Sequence, residues 1–497
     1  MKETSLKKRY ATKLLANIIA GIINAVMVAV VPKALGPVMY GQFVYLQDFF
    51  MKAIGFLDMG SSIAFFTKLS ARHERKELIG FYFFYAVIVL VLLALFVYFL
   101  KLFELNNIFM PNISKNYIWL GLFFGFFTWM TQIFIKISDA YALTVSVELL
   151  KIIHKILSLF LLLYIVYFTS FDLEQYFYFH YISLFSFLIL LSYLFIKKDI
   201  FHHIFHFSSS LATLIKEFYV YCHPLFTYSI IGLLAGFFDI WLLQKIAGSQ
   251  QTGFYGLAYS LAAMCFLFTS AMTPIITREF SKSYEQKDLE QMRKLFYRYI
   301  PMLYSIAAYF AVFVAIQSEN VLMIFADEKF KDAYYVLMIM ALYPIHQTYG
   351  QLSGSIFYAT GQTKKMRNIA LFIQPLGMLF SFFLIYIFDL GAMGLAIKML
   401  FLQFIGVSIQ LYFNAKFLKL NIYYFFKHQF LALLFFFILA YTASLISMKT
   451  PLYSFLLSGV IYTIFVIIFV YMFPQIFAVS KDELQKYVLR LRSVIKK

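Results

Sequence analysis

Charged residues are scarce in this sequence, and their scarcity excludes most soluble classes of protein. Only 13% of the 497 residues are Asp, Glu, Lys or Arg, whereas 62% are hydrophobic and the mean hydropathy is +0.79. Soluble globular domains typically carry about 25% charged residues. The two cysteines, Cys222 and Cys265, both lie in apolar runs. The sequence therefore predicts neither a disulfide framework nor a cysteine metal site.

Motifs for nucleotide and metal chemistry are also missing. The segment GQTK at 361–364 lacks the glycine spacing of a phosphate-binding P-loop. Three histidines, His202, His203 and His206, lie in the connection 197–217, beside phenylalanines and lysines. This composition is more typical of an amphipathic helix at the membrane surface than of a metal site. We therefore predict no metal and no cofactor.

What the sequence has instead is a series of hydrophobic segments of transmembrane length. A helix needs about 20 apolar residues to cross a hydrocarbon core of about 30 Å, and the chain offers about fourteen such runs. Continuous apolar runs such as 82–100 exclude a membrane β-barrel, whose strands alternate apolar and polar residues. We predict an all-α polytopic membrane protein with about fourteen transmembrane helices.

Lys and Arg are distributed unevenly between the predicted connections. If the N-terminus, every second connection and the C-terminus lie on one side, that side holds most of the 42 Lys and Arg residues. The opposite connections hold only Lys101, Lys115, Lys245, Lys329, Lys331 and Lys449. Cytoplasmic loops are enriched in Lys and Arg, so both termini are predicted to be cytoplasmic. The net charge of +18 then reflects topology and attraction to membrane lipids, and no nucleic-acid partner is predicted.

A short pattern occurs twice and predicts an internal duplication. GPVMYG at 36–41 matches GSQQTG at 248–253, and Lys33 and Lys245 occupy equivalent positions before the two turns. The polar segments RHERKEL and SYEQKDL follow at equivalent distances, to within one residue. A repeat of this length is typical of transporters built from two related helix bundles with a substrate site between them.

Three ionisable residues lie within the second predicted span. An ionisable group in the bilayer costs at least about 2.5 kcal/mol, so such residues mark cavities or buried pairs. Asp48 and Lys52 are four residues apart and therefore able to pair on one helix face. Asp58 lies about 80° around the same helix from Asp48, so the polar face is expected to point into the bundle. A structural ion pair and a cavity-lining role both remain open for Asp48 and Lys52.

Four further ionisable residues are candidates outside that span. Asp239, in the seventh span, is expected either to face the same cavity or to form a hydrogen bond between helices. Lys398 is expected in the twelfth span, about 10 Å from the outer end of that helix. From this depth its side chain is equally able to snorkel to the membrane surface. Lys33 and Lys245 are candidates for the outer mouth of the cavity, although their positions are more typical of interfacial anchors.

The order and spacing of several short motifs resemble one family. These motifs are LGPVMYGQF at 35–43, LDMG at 57–60, DIWLL at 239–243, GFYGLA at 253–258, ATGQTKK at 359–365 and LGAMGLA at 390–396. Together they resemble the polysaccharide-transport family of the multidrug/oligosaccharidyl-lipid/polysaccharide exporter superfamily. That family includes the flippases for O-antigen repeat units, and the resemblance covers essentially the whole chain.

The resemblance implies an architecture, a substrate and a location. It implies two six-helix lobes around a central cavity that work by alternating access. The expected divisions are a lobe over 1–200, a cytoplasmic linker over 201–217, a second lobe over 218–415, and two additional helices with a cytoplasmic tail over 416–497. The implied function moves an undecaprenyl-pyrophosphate-linked oligosaccharide across the bacterial inner membrane for surface polysaccharide biosynthesis. A polysaccharide polymerase is a further expected partner.

A diphosphate needs a compensating cation inside the membrane, which gives the lysines a role under this hypothesis. Lys52 and Lys398 are the cations expected within the cavity, because arginine is absent from every predicted span. Phosphate would then be held by point charges rather than by bidentate guanidinium groups. A proton or sodium gradient is expected to drive the cycle through Asp48, Asp58 or Asp239.

Two alternative functions remain open from the sequence. A multidrug and toxin extrusion pump belongs to the same superfamily and uses acidic residues to bind organic cations. A membrane glycan polymerase or glycosyltransferase usually needs a sizeable outer loop with clustered charges. The outer connections here are short, and the cluster Asp327-Glu328-Lys329 is better explained as a solvated turn. We therefore expect a transporter and not an enzyme.

Overall fold

The computed structural model describes residues 6–72, 74–206 and 210–485, and over those residues it contains helices and no strands. The first eight helices are α1 (Leu6–Asp58), α2 (Ser61–Ala71), α3 (Glu77–Leu102), α4 (Asn106–Phe109), α5 (Lys115–Ala140), α6 (Thr144–Phe168), α7 (Leu173–Lys197) and α8 (Leu211–Ile246). The next five are α9 (Gly248–Ala263), α10 (Leu267–Glu285), α11 (Leu289–Ile316), α12 (Ser318–Phe325) and α13 (Tyr334–Met340). The last five are α14 (Tyr343–Ala359), α15 (Thr363–Ser381), α16 (Gly391–Leu418), α17 (Ile422–Ser444) and α18 (Pro451–Met472).

The predicted fold class is confirmed. Within the described part of the chain, ten helices are long and apolar enough to cross a membrane. The count of fourteen stays a prediction, partly because α1 joins the first two predicted spans into one kinked helix. The second predicted span also ends early, because Met59 and Gly60 have positive φ angles of 46° and 81° and separate α1 from α2.

The chain divides into two compact units. The N-terminal unit runs to Gly253 and includes Ile385–Gly391, and the C-terminal unit comprises Phe254–Leu384 and the chain from Ala392 onwards. Helix α8 packs on α1 and α2 and therefore lies within the N-terminal unit. The lobes predicted from the repeat are a different division of the chain, and they stay a prediction.

Helix α8 is bonded to the rest of the N-terminal unit at both ends. Near its beginning, the Glu217 carboxylate pairs with Lys68 at 2.9 Å and with Arg75 at 3.2 Å. Near its end, Trp241, Gln244 and Lys245 donate hydrogen bonds to carbonyl oxygens of the segment 107–111, at 2.6, 2.9 and 3.1 Å. These contacts fix both ends of α8 against the helices of its own unit.

The two copies of the repeated turn lie against each other inside the N-terminal unit. Gly36 and Gly248, which begin the copies, have positive φ angles of 72° and 82°. A Cβ atom on Gly41 would lie 1.7 Å from the carbonyl oxygen of Ser249, and one on Gly253 would lie 2.1 Å from that of Pro37. Because these positions are equivalent in the repeat, the contact is reciprocal.

Residues 199–206 of the histidine-containing connection do not form the predicted amphipathic helix. Residues 199–206 form turns instead, and 207–209 lie outside the described residues. Asp199 and His203 have positive φ angles of 57° and 62°, which a right-handed helix cannot contain. The prediction of a surface helix there was therefore wrong for residues 199–206.

Candidate functional site

An ion pair in α1 is the centre of the candidate site. The Lys52 ammonium lies 2.5 Å from the Asp48 carboxylate, so the pairing predicted from their four-residue spacing is present. The two side chains are 25% and 33% exposed, so each is half-buried and still reachable. The charge pair is therefore partly accessible from outside the helix.

Lys52 also makes a contact with α8 that no local pattern predicts. Its ammonium donates a hydrogen bond of 2.6 Å to the backbone carbonyl of Gly236. A Cβ atom at position 236 would lie 3.2 Å from Cε and 3.5 Å from Nζ of Lys52. The absence of a side chain at Gly236 is thus what gives the lysine access to the helix backbone.

Asp239 adds a second carboxylate near this ammonium. It lies on α8 three residues after Gly236, is 9% exposed, and interacts electrostatically with Asp48. One carboxylate from α1 and one from α8 therefore lie in the region around the Lys52 ammonium. Of the sequence-predicted residues, the structure brings together Asp48, Lys52 and Asp239.

Asp58 lies apart from this group, in a hydrogen-bond network of its own. Its carboxylate accepts bonds from the hydroxyls of Ser61, Ser62 and Tyr82 at 2.8–2.9 Å and from the Ser62 backbone N–H at 3.1 Å. It is 9% exposed, and it bonds to the first turn of α2 in the manner of a helix cap. Its role as a coupling residue stays a prediction.

Lys33 and Lys245 lie in different surroundings. Lys33 is half-buried in α1, before the kink at Gly36. Lys245 is exposed at the end of α8 and donates to the carbonyl of Asn107. Neither is placed in the Asp48–Lys52 pair by a contact that the structure describes.

The C-terminal unit contains a similar arrangement of lysine and glycine. Lys398 of α16 is only 6% exposed, so it lies inside its unit and does not snorkel outwards. A Cβ atom on Gly377 of α15 would lie 3.1 Å from Cε and 3.4 Å from Nζ of Lys398. In each unit, then, a lysine within the apolar part of the chain approaches a glycine of a neighbouring helix.

The sequence profile of a family described as polysaccharide biosynthesis protein matches residues 6–280, more than half of the chain. The chain belongs to this family. Among curated proteins, no sequence matches this one. The resemblance inferred from the motifs is thereby confirmed at the level of the family.

Solved membrane transporters share the fold of this polysaccharide biosynthesis protein. Lipid II flippase MurJ, in an inward closed conformation, has a TM-score of 0.68 and 15% identity over 93% of this chain and 98% of its own. An inward-facing multidrug resistance MATE transporter of the MOP superfamily has a TM-score of 0.59 and 18% identity over 84% and 97%. A MOP superfamily transporter from Pyrococcus furiosus has a TM-score of 0.53 and 17% identity, over 84% of this chain and 98% of its own.

Identities this low establish the fold alone. Together with the family and the apolar helices, this fold supports a multi-pass membrane transporter or flippase.

The family member has further lysines in α5 and α6 with polar contacts that the sequence analysis missed. Lys155 lies well inside α6, which begins at Thr144, and donates a hydrogen bond of 2.9 Å to the Asn24 side chain of α1. On the same helix, Lys151 lies 3.6 Å from the Glu148 carboxylate. Lys136 of α5 donates a hydrogen bond of 2.6 Å to the Ser62 hydroxyl, next to the Asp58 network. A polar periodicity on α6 over 148–158 was the available signal.

No metal site is evident among the residues that the structure describes, since none of their His, Cys, Asp and Glu side chains group in threes suited to an ion. Three histidine rings do lie close together: the ring centroids of His202 and His203 are 3.7 Å apart, and those of His203 and His206 are 4.9 Å apart. His202 lies 3.8 Å from Asp199, which itself pairs with Lys76 at 3.0 Å. The Lys76 ammonium holds the pKa of Asp199 below its usual value.

Proposed function

We propose that this protein is a flippase that moves an undecaprenyl-pyrophosphate-linked oligosaccharide from the cytoplasmic to the outer leaflet of the bacterial inner membrane. The observation that carries the proposal is the half-buried Lys52 ammonium, held between Asp48 and the Gly236 carbonyl. Family membership supports a role in surface polysaccharide biosynthesis. The fold shared with a lipid II flippase supports a lipid-linked substrate and alternating access.

The chemistry of the pair suits a reversible anion site. A lysine that is already bonded to a carboxylate and a carbonyl is desolvated in advance, so that a phosphate oxygen can replace one of its partners. When a phosphate takes the ammonium, Asp48 loses its counter-charge while Asp239 stays nearby. A carboxylate in that position gains affinity for a proton or a sodium ion. Substrate binding and ion binding are thereby linked through Lys52.

The remaining parts of the proposal follow from the same chemistry. The gradient of protons or sodium ions acts through Asp48 and Asp239, with Asp58 as a further candidate. Lys398 is the corresponding cation of the C-terminal unit, and the polyprenyl chain stays in lipid. Both termini are cytoplasmic, as the distribution of Lys and Arg indicates, and a polysaccharide polymerase takes up the flipped product.

The test is a binding and translocation experiment on the reconstituted full chain. Undecaprenyl pyrophosphate serves as the probe, because it carries the diphosphate and the lipid without a glycan. Lys52→Met is expected to reduce binding at least tenfold, whereas Lys52→Arg is expected to retain part of it. Lys294→Met is the control, because Lys294 is 68% exposed and pairs with an exposed glutamate. Equal binding by wild type and Lys52→Met would refute the proposal.

A drug exporter is a second candidate function, favoured by one observation. Asp48 and Asp239 place two carboxylates around one ammonium, and such a pair could bind an organic cation if Lys52 moved away. An exporter of this kind would gain cation binding in Lys52→Met and lose it in Asp48→Asn. A flippase would lose diphosphate binding in Lys52→Met and gain no affinity for organic cations.

A further inference from the structure

Two buried polar atoms on packed helices of the C-terminal unit lack a hydrogen-bond partner among the described residues. They are the Nδ1 atom of His346 on α14 and the hydroxyl oxygen of Tyr304 on α11. His346 is 8% exposed and Tyr304 0%, whereas the neighbouring Tyr349, 1% exposed, bonds to the Gln429 side chain of α17. Buried polar groups nearly always have a hydrogen-bond partner, because an unpaired one has lost its bonds to water and gained none in the protein. Two such atoms close together therefore point to a binding function.

These side chains lie together on two packed helices. His346 and Tyr349 are three residues apart on α14 and so lie on one helix face. The Tyr304 ring of α11 lies 6.0 Å from the imidazole of His346 and 5.8 Å from the ring of Tyr349, between ring centroids. The imidazole of His346 and the phenol of Tyr304 therefore lie side by side in the volume between α11 and α14.

The other groups around this volume are polar but carry no opposite charge. From α17, His428 lies 6.2 Å from the Tyr304 ring and is bonded to the Ile476 carbonyl at 2.8 Å. The other titratable groups are Tyr424, also of α17, and Cys265, which belongs to the same buried cluster. From α10, Thr269 bonds to Thr348 at 3.0 Å, and α16 contributes the Phe404 ring. Among the described residues, no Asp, Glu, Lys or Arg acts on the imidazole.

We propose that His346 is a proton-binding site, neutral in the conformation described here and protonated in a second conformation of the transport cycle. Imidazole is the side chain that exchanges protons near neutral pH, and the phenol oxygen of Tyr304 can accept a bond from one of its N–H groups. The proton adds to the free nitrogen lone pair and leaves from the same atom, so no other reactant is needed.

The burial of His346 links the proton to the conformation. An imidazolium without a counter-charge is disfavoured inside the unit, so protonation favours a conformation in which the ring reaches water. A proton on His346 therefore shifts the population between conformations, and a substrate that selects one conformation changes the number of bound protons. The inference rests on the proposed function only in assuming that a diphosphate lipid selects between the two conformations.

The first experiment counts protons when the purified full chain binds undecaprenyl pyrophosphate in weakly buffered detergent solution at about pH 6.5. Binding and the signal of a pH-sensitive dye are recorded together. Wild type is expected to exchange up to about one proton per bound lipid. His346→Gln is expected to bind the lipid but to lose most of that exchange. His154→Gln is the control, because that imidazole already has a partner in Ser186 at 2.9 Å.

The outcomes separate this inference from the proposed function. Lipid binding without proton exchange in wild type, or unchanged exchange in His346→Gln, overturns the inference and leaves the flippase proposal standing. Absence of any lipid binding overturns the flippase proposal instead. In that case, nitrogen NMR of ring-labelled wild-type protein tests the site, with the His346 signal identified by its loss in His346→Asn. A signal that stays neutral from pH 5 to 8 overturns the inference, and a second, protonated signal supports it.

Discussion

Gly41 and Gly253 pack backbone to backbone, each against the chain segment that precedes the other. A Cβ on Gly41 would lie 1.7 Å from the Ser249 oxygen, and a Cβ on Gly253 would lie 3.2 Å from the Gly41 nitrogen itself. The two copies of the duplicated turn are therefore also each other's packing partners. A gap this small admits only hydrogen at both positions.

The first prediction concerns this contact. Gly41→Ala or Gly253→Ala forces the backbones apart, because the nearest atoms are carbonyl oxygens that cannot rotate away. Overpacking of this kind costs about 1–3 kcal/mol, and we expect a lower unfolding temperature in detergent. Gly232→Ala is the control, since a Cβ at that helical position meets nothing within 4 Å. Unchanged melting of both clashing variants would show that the turns separate without cost.

A second prediction uses Gly236, next to Lys52. Alanine is a better helix former than glycine by about 1 kcal/mol, so Gly236→Ala is not expected to lower stability. Its methyl group would instead meet Lys52 at 3.2 Å from Cε and displace the ammonium from the carbonyl. We expect weaker binding of undecaprenyl pyrophosphate at unchanged or higher unfolding temperature. Gly232→Ala, one turn earlier on α8, gains the same helix propensity but meets no neighbour, so it should leave lipid binding unchanged.

The third prediction concerns the Asp58 network. Asp58→Ala leaves the Ser61, Ser62 and Tyr82 donors without their common acceptor, and we expect a loss of about 3 kcal/mol in unfolding free energy. Tyr82→Phe removes one donor and should cost about 1 kcal/mol. Thermal or denaturant unfolding measures both. If Asp58→Ala melted like wild type, the network would have no structural role.

The fourth prediction is a pH dependence near the beginning of α8. The Lys68 ammonium, and then the Arg75 guanidinium, hold the pKa of Glu217 below its usual value. A lowered pKa means that the stabilisation is fully present above the ordinary glutamate pKa and is lost as the pH falls through the lowered one. The difference in unfolding temperature between wild type and Glu217→Gln should be constant from pH 5 to 8 and shrink below about pH 4. If the difference vanished already between pH 7 and 6, the pH-dependent stabilisation would belong to a titrating group other than Glu217.

Much of the fold was predictable because the bilayer restricts what a chain can do. Twenty-residue apolar runs must be helices, and the equivalent glycines of 36–41 and 248–253 indicated the duplication. The Asp48–Lys52 pair was predictable too, since it depends only on helix geometry. The contacts of α6 were not predictable: the hydrogen bond from Lys155 to Asn24 depends on how α6 packs on α1.

Contacts between distant segments left no local pattern. Nothing near Lys52 in the sequence indicates that its ammonium reaches the carbonyl of Gly236, because that contact depends on how α1 and α8 pack. Asp58 was predicted as an intramembrane charge, yet one of its donors is Tyr82 on α3. The serines that follow the Met59-Gly60 turn were a signal for a helix cap, and they explain why this carboxylate lies apart from Asp48 and Lys52.

The bond between Lys52 and Gly236 gives one backbone oxygen two donors. In a helix such a carbonyl also accepts the amide four residues later, and an outside donor that draws it outward lengthens that internal bond. Helices are convex on the side where carbonyls tilt towards outside donors. If an anion takes the ammonium away, as the proposed function requires, we expect the oxygen to return to its own helix and α8 to straighten at this point. Both ends of α8 are held by bonds to its own unit, so we expect the helix to respond by a change in its curvature.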